Sequence, residues 1–87
     1  MGKKITEEIY LDKAQNGARK LFDINNYRFL DGNKEDYESY FLIDFDDNIF
    51  YELSLKEAYN LLALYVCNDV SEHILVNQIE ELIQTIE

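Results

Sequence analysis

Two stretches of alternating side chains, joined by a short acidic segment, constrain the fold more than any other feature. From Tyr37 to Phe45, except at Ser39, and again from Ile49 to Leu53, apolar residues recur at every second position. A period of two is typical of a β-strand with one buried face. The segment 46–48, Asp-Asp-Asn, is rich in turn-forming residues. The sequence therefore predicts a β-hairpin over residues 37–53, with its odd-numbered side chains toward the core.

Two helices are predicted after the hairpin. Ser54 and Glu57 have the spacing of a capping box, so a helix should begin there and run to about Cys67. This helix is apolar on nearly every side, which predicts a central position. The last helix begins near Val70, with Asp69 or Ser71 as its cap, and its apolar stripe is formed by Leu75, Ile79, Leu82 and Ile86.

The first third of the chain is predicted to contain one helix and one strand. Thr6 can cap a helix that runs to about Phe22, although Gly17 weakens it. A short strand is expected at 27–30. No linker or repeat divides residues 1–87, so we predict a single α+β domain. It should have a three-stranded antiparallel sheet and the element order α-β-β-β-α-α.

Charge limits the possible partners. The chain carries 18 acidic against 8 basic residues, a net charge of −10, and no basic residue follows Lys56. Nucleic acid and anionic membranes repel such a chain, so direct binding to either is not expected. The sequence lacks a membrane-spanning run or a signal peptide, and its single cysteine fits a reducing cytosol. The bias toward residues with A/T-rich codons suggests a low-G+C bacterium or its phage, hence the bacterial host cytosol.

No catalytic, cofactor or metal site is predicted. Asp44-x-Asp46-x-Asn48 begins like a calcium loop, but Ile49 and Leu55 occupy the positions that need Gly and Glu. Cys67 and His73 are the only thiol and imidazole, which is too few for a structural zinc site. We expect Cys67 to be buried and His73 to lie on the surface. The prediction is a protein that is not an enzyme.

The outward face of the hairpin is the predicted partner-binding site. Alternate strand residues lie about 7 Å apart, which resembles the spacing of phosphates along a nucleic-acid strand. Aromatic side chains among the carboxylates would supply apolar anchors. The predicted binding residues are Glu38, Tyr40, Asp44, Asp46, Asp47, Phe50 and Glu52. One alternative is that a helix covers this face. If instead the face is exposed but does not bind, the next candidate surface is formed by the carboxylates of the last helix, which are Glu72, Glu80, Glu81 and Glu87.

In length, acidity and element order, the chain resembles the small phage-encoded anti-CRISPR proteins, some of which mimic DNA. This resemblance implies an inhibitor that occupies the basic nucleic-acid-binding surface of a Cas nuclease or effector complex. Two alternatives remain open. One is an immunity or regulatory partner protein of a toxic nuclease. The other is a structural homodimer or assembly subunit, with the 75–86 stripe as a possible dimer seam.

Overall fold

The computed structural model describes residues 2–14, 18–32, 39–67 and 71–87. The elements, in chain order, are β1 (Lys3–Ile5), α1 (Glu7–Lys13), β2 (Arg19–Ile24), β3 (Tyr27–Asp31), β4 (Tyr40–Asp44), β5 (Ile49–Leu53), α2 (Leu55–Val66) and α3 (Glu72–Ile86).

The five strands form one antiparallel sheet in the order β1-β5-β4-β3-β2. The connections β2–β3 and β4–β5 are tight turns between neighbouring strands, and each contains an asparagine with a positive φ, Asn25 (51°) and Asn48 (54°). Asparagine tolerates this left-handed conformation better than most residues. β1 pairs with β5 at one edge, and the chain then passes through α1 to β2 at the opposite edge.

Both faces of the sheet are covered. On one face, α2 and α3 pack over the larger core, which includes Phe29, Leu42, Tyr51, Leu61 and Ile79. On the other face, α1 contributes the Tyr10 ring to a smaller cluster, whose buried members are Ile5, Leu30, Phe41, Ile43 and Phe50. The hairpin is therefore enclosed between two helical layers.

The predicted three-stranded sheet is wrong, because the sheet has five strands. The predicted helix over residues 6–22 begins correctly at the Thr6 cap, but α1 ends at Lys13. β2 begins within the last part of that predicted helix and continues to Ile24. Along β2, the buried Phe22 and Ile24 alternate with the exposed Asp23. Residues 19–22, which are predicted as the end of the helix, therefore belong to a strand and follow its two-residue period. The three-residue β1 was missed, since it offers only Ile5 as a buried side chain.

The other predicted elements are confirmed. The predicted central position of the helix after the hairpin and the predicted burial of Cys67 are not. β3, β5 and the two C-terminal helices lie where expected, and Ser54 and Glu57 form the predicted capping box. Ser71 caps α3. However, α2 is a surface helix with only Ala58 and Leu61 buried, and Cys67 at its end is exposed, not buried.

Candidate functional site

The predicted inward and outward faces of the hairpin do not match its register. Tyr40 pairs with Leu53, and Leu42 pairs with Tyr51, so even positions of β4 share a face with odd positions of β5. The reason is that four residues connect Asp44 to Ile49. With a connection of this length, every even-numbered residue of β4 pairs with an odd-numbered residue of β5. The prediction that the odd-numbered side chains of both strands point toward one core is therefore wrong.

Three residues of the predicted site therefore lack the expected open surroundings. Tyr40 is buried in the larger core, and its ring lies 5.8 Å from that of Phe29. Phe50 is buried on the opposite face, where the Tyr10 ring packs at 5.0 Å. Glu52 is held by a 2.6 Å ion pair with Lys13. Glu38, another residue of the predicted site, lies outside the described residues.

Asp44 has a structural role in the turn. Its side chain is buried, and its Oδ1 accepts 2.7 Å from Asn26 Nδ2 and 3.0 Å from the backbone N–H of Asp46. These bonds tie the β4–β5 turn to the β2–β3 turn. A backbone bond from the N–H of Phe45 to the carbonyl of Asn26, 2.8 Å long, supports the same junction.

The remaining predicted residues, Asp46 and Asp47, lie exposed in this turn. Tyr27, which pairs with Asp44 across the sheet, lies close enough to carboxylates of both the turn and α3 for their charges to act on its phenol. Burial is the main cause that raises its pKa, a hydrogen bond with Asn26 opposes the change, and the charges of Asp44, Glu80 and Asp46 raise the pKa further. We call Asp44, Asp46, Asp47 and Glu80 the acidic corner.

The sequence assigns Glu80 only to the alternative surface on the last helix, because spacing along the chain cannot show that its carboxylate lies close enough to Tyr27 to raise the pKa of that phenol. A helix residue and a turn more than thirty positions earlier meet only through tertiary packing. The acidic corner thus combines part of the predicted hairpin site with one residue of the alternative site.

Intramolecular ion pairs do not neutralise the acidic corner. All six ion pairs found among the described residues use cations from the first part of the chain, namely Lys3, Lys4, Lys13, Arg19, Lys20 and Arg28. Their carboxylate partners are Asp23, Asp31, Glu52 and Glu87. Within the described ranges, Asp46, Asp47 and Glu80 have exposed side chains that form no ion pair with Lys or Arg, although the Arg28 guanidinium lies 4.9 Å from the ring of Phe45 in the same turn. These carboxylates remain available to an external cation.

Other chemistry is poorly supported in the part of the chain that the structure describes. No group of three His, Cys, Asp or Glu side chains there is arranged to hold a metal ion. His73 is exposed, as predicted, and its Nε2 lies 3.4 Å from Asn77 Nδ2.

The tyrosines predict a loss of stability at alkaline pH. Burial, followed by the nearby Glu87 carboxylate, raises the pKa of Tyr51 to about 12, and burial also raises the pKa of Tyr10. A raised pKa in the folded state stabilises the fold below the unfolded value near 10, and this contribution is lost as pH rises toward 12. For Tyr51 the expected loss is about 2–3 kcal/mol.

Urea unfolding followed by circular dichroism between about pH 8 and pH 12, with phenolate absorbance recorded in parallel, measures this loss. Tyr51→Phe lacks the titrating hydroxyl, so its stability should fall less steeply. Identical pH profiles for the two proteins would contradict the assignment to Tyr51.

Comparison of the chain with protein-family models, curated proteins and solved structures finds no match. Among the described residues, no helix is both long and apolar enough to cross a membrane.

Proposed function

We propose that this protein is an inhibitor that binds a nucleic-acid-handling enzyme and blocks its basic nucleic-acid-binding groove. The observation that carries the proposal is the acidic corner. It presents exposed carboxylates from a turn and a helix, and among the described residues these carboxylates form no ion pair with Lys or Arg. A groove that binds phosphates would attract the same arrangement of negative charge.

The protein's global charge supports the same kind of partner. The net charge of −10 accelerates encounter with a cationic surface and opposes binding to nucleic acid itself. Residues 31–87 carry a net charge of −12, so the field originates in the part of the chain that supplies the acidic corner. The resemblance to DNA-mimicking anti-CRISPR proteins suggests a Cas effector as the first target to test.

The corner also has a rigid base, which favours tight binding. Asp44 Oδ1 accepts a 2.7 Å hydrogen bond from Asn26 Nδ2 and a 3.0 Å bond from the backbone N–H of Asp46, so Asp46 and Asp47 project from a fixed backbone. Binding through preorganised groups loses less conformational entropy than binding through a flexible loop. The buried carboxylate thus positions the exposed ones.

A competition assay tests the proposal. Guide-loaded Cas effectors are mixed with labelled target duplex, and bound DNA is measured with increasing amounts of the protein. We expect displacement at low salt that weakens as the salt rises from about 0.05 M to about 0.5 M, mainly because association becomes slower. Failure to displace DNA from any effector tested would overturn the Cas assignment.

The same assay with bacterial nuclease toxins in place of Cas effectors tests the immunity-protein alternative. Protection of a toxin's substrate, without any effect on Cas effectors, would select that alternative. An effect on neither class, together with an affinity for other partners that is indifferent to salt, would contradict the charge-based proposal.

A further inference from the structure

Helix α2 exposes more apolar surface than a helix of a small monomeric domain normally does. Leu55, Tyr59 and Val66 are 40%, 49% and 70% exposed, although the sequence of α2 is that of a helix buried on most sides. Leu62 is half-buried at the rim of the larger core. We call these four residues the outer stripe. Exposed apolar surface arranged as a continuous stripe is typical of an interface.

The outer stripe is free of charge in a highly charged protein. Residues 58–67 contain no Asp, Glu, Lys or Arg, although charged residues make up 30% of the chain. A cationic partner of the kind proposed above would find no carboxylate within residues 58–67 of α2. The stripe therefore fits an apolar partner, and its location differs from that of the acidic corner.

The spacing of the outer stripe is symmetric about its midpoint. Leu55, Tyr59, Leu62 and Val66 follow one another at intervals of 4, 3 and 4 residues. If a second copy of α2 lies antiparallel, Leu55 of one copy meets Val66 of the other, and Tyr59 meets Leu62. A two-fold interface requires this kind of self-complementary pattern. The intervals also match the knobs-into-holes spacing of paired helices.

Charge complementarity supports the antiparallel arrangement. Lys56 is exposed, and among the described residues it forms no ion pair. The antiparallel pairing brings Lys56 close to the C-terminal end of the partner copy's α2. The last turn of that helix carries no basic residue, and its terminal carbonyls favour a cation.

From these observations we infer that the protein forms a two-fold symmetric homodimer through the outer stripe of α2. The 75–86 stripe, considered above as a dimer seam, cannot serve as one in this fold. Leu75 and Ile79 are buried in the larger core, and Leu82 and Ile86 pack against it.

Sedimentation velocity from about 1 μM to about 1 mM tests the homodimer. The weight-average mass should rise from 10.3 kDa toward twice that value. Val66→Glu should weaken association by about 10-fold, because each dimer would replace two apolar contacts with Leu55 by carboxylates, whose desolvation the nearby Lys56 offsets only in part. The matched control is Leu11→Glu, which adds the same charge at a similarly exposed apolar residue of α1 and should dimerise like the parent.

A rescue variant tests the register. Leu55→Lys combined with Val66→Glu should restore the dimer, because each lysine would face a glutamate of the other copy. Within one copy these positions are eleven residues apart, about 16 Å along the helix, so the rescue cannot be intramolecular. A monomeric parent, a dimeric Val66→Glu variant, or a double variant that stays monomeric although it melts like the parent would each overturn the inference.

Salt separates this inference from the proposed function. Screening reduces the repulsion between two copies of charge −10, so salt should strengthen the dimer. It should weaken the complex with a cationic enzyme.

Discussion

Asp44→Ala should lower the free energy of unfolding by about 2–4 kcal/mol, whereas Asp47→Ala should change it by less than about 0.5 kcal/mol. The two residues lie three positions apart in the same acidic segment and would look equivalent in the sequence. Asp44 is buried, and its removal would leave the Asn26 amide and the backbone N–H of Asp46 without their acceptor. Asp47 is exposed in the turn, so its loss removes no acceptor from a buried donor.

Asp44→Asn separates hydrogen bonding from charge. The asparagine carbonyl can accept from the same two donors, so this variant should retain more stability than Asp44→Ala. Urea unfolding of the three variants and the parent measures these differences. A free energy of unfolding for Asp44→Ala within about 0.5 kcal/mol of the parent would show that the two hydrogen bonds do not stabilise the turn.

Local patterns in the sequence were sufficient to predict the hairpin and the C-terminal helices. The capping box needs only Ser54 and Glu57, and the turn needs only its polar residues. Each of these signals involves residues only a few positions apart, so it can be recognised from the sequence without knowledge of tertiary packing. The N-terminal third was harder because α1 has no fully buried residue and so no clear apolar face.

The face of each strand could not be predicted in the same way. The strands of this hairpin are apolar on both sides, since Tyr40 and Phe41 are each buried against a different helical layer. A strand that is buried on both faces has lost the alternation that identifies its outer side. The pairing register of the hairpin determines which side chains share a face, and this register depends on the length of the turn.

Sequence analysis located the acidic corner only in part. Asp46 and Asp47 were identified because turn residues are exposed in most folds. Glu80 is grouped with them only because its charge acts on Tyr27, and no local sequence pattern predicts that proximity. An excess of acid in the C-terminal part of the chain was the only available signal, and it could not distinguish Glu80 from Glu72 or Glu81.

Reversing two charges of the acidic corner should abolish inhibition while leaving the fold intact. Asp46→Lys combined with Glu80→Lys puts cations where the proposed partner surface is itself cationic, so binding should weaken by on the order of 1,000-fold. Both side chains are exposed, and neither contacts a Lys or Arg among the described residues, so the melting temperature should stay close to that of the parent. The Asp46 backbone N–H, which Asp44 requires, is unchanged.

The matched control is Glu7→Lys combined with Glu8→Lys. Both glutamates are exposed in the first turn of α1, so the control changes the net charge from −10 to −6, as the test variant does. It should melt slightly lower, because the N-terminal turn of a helix favours acidic residues. If the corner is the binding site, the control should bind more slowly than the parent but still inhibit, since only its long-range attraction is reduced. Equal loss of inhibition in both double variants would mean that net charge, rather than the acidic corner, determines binding.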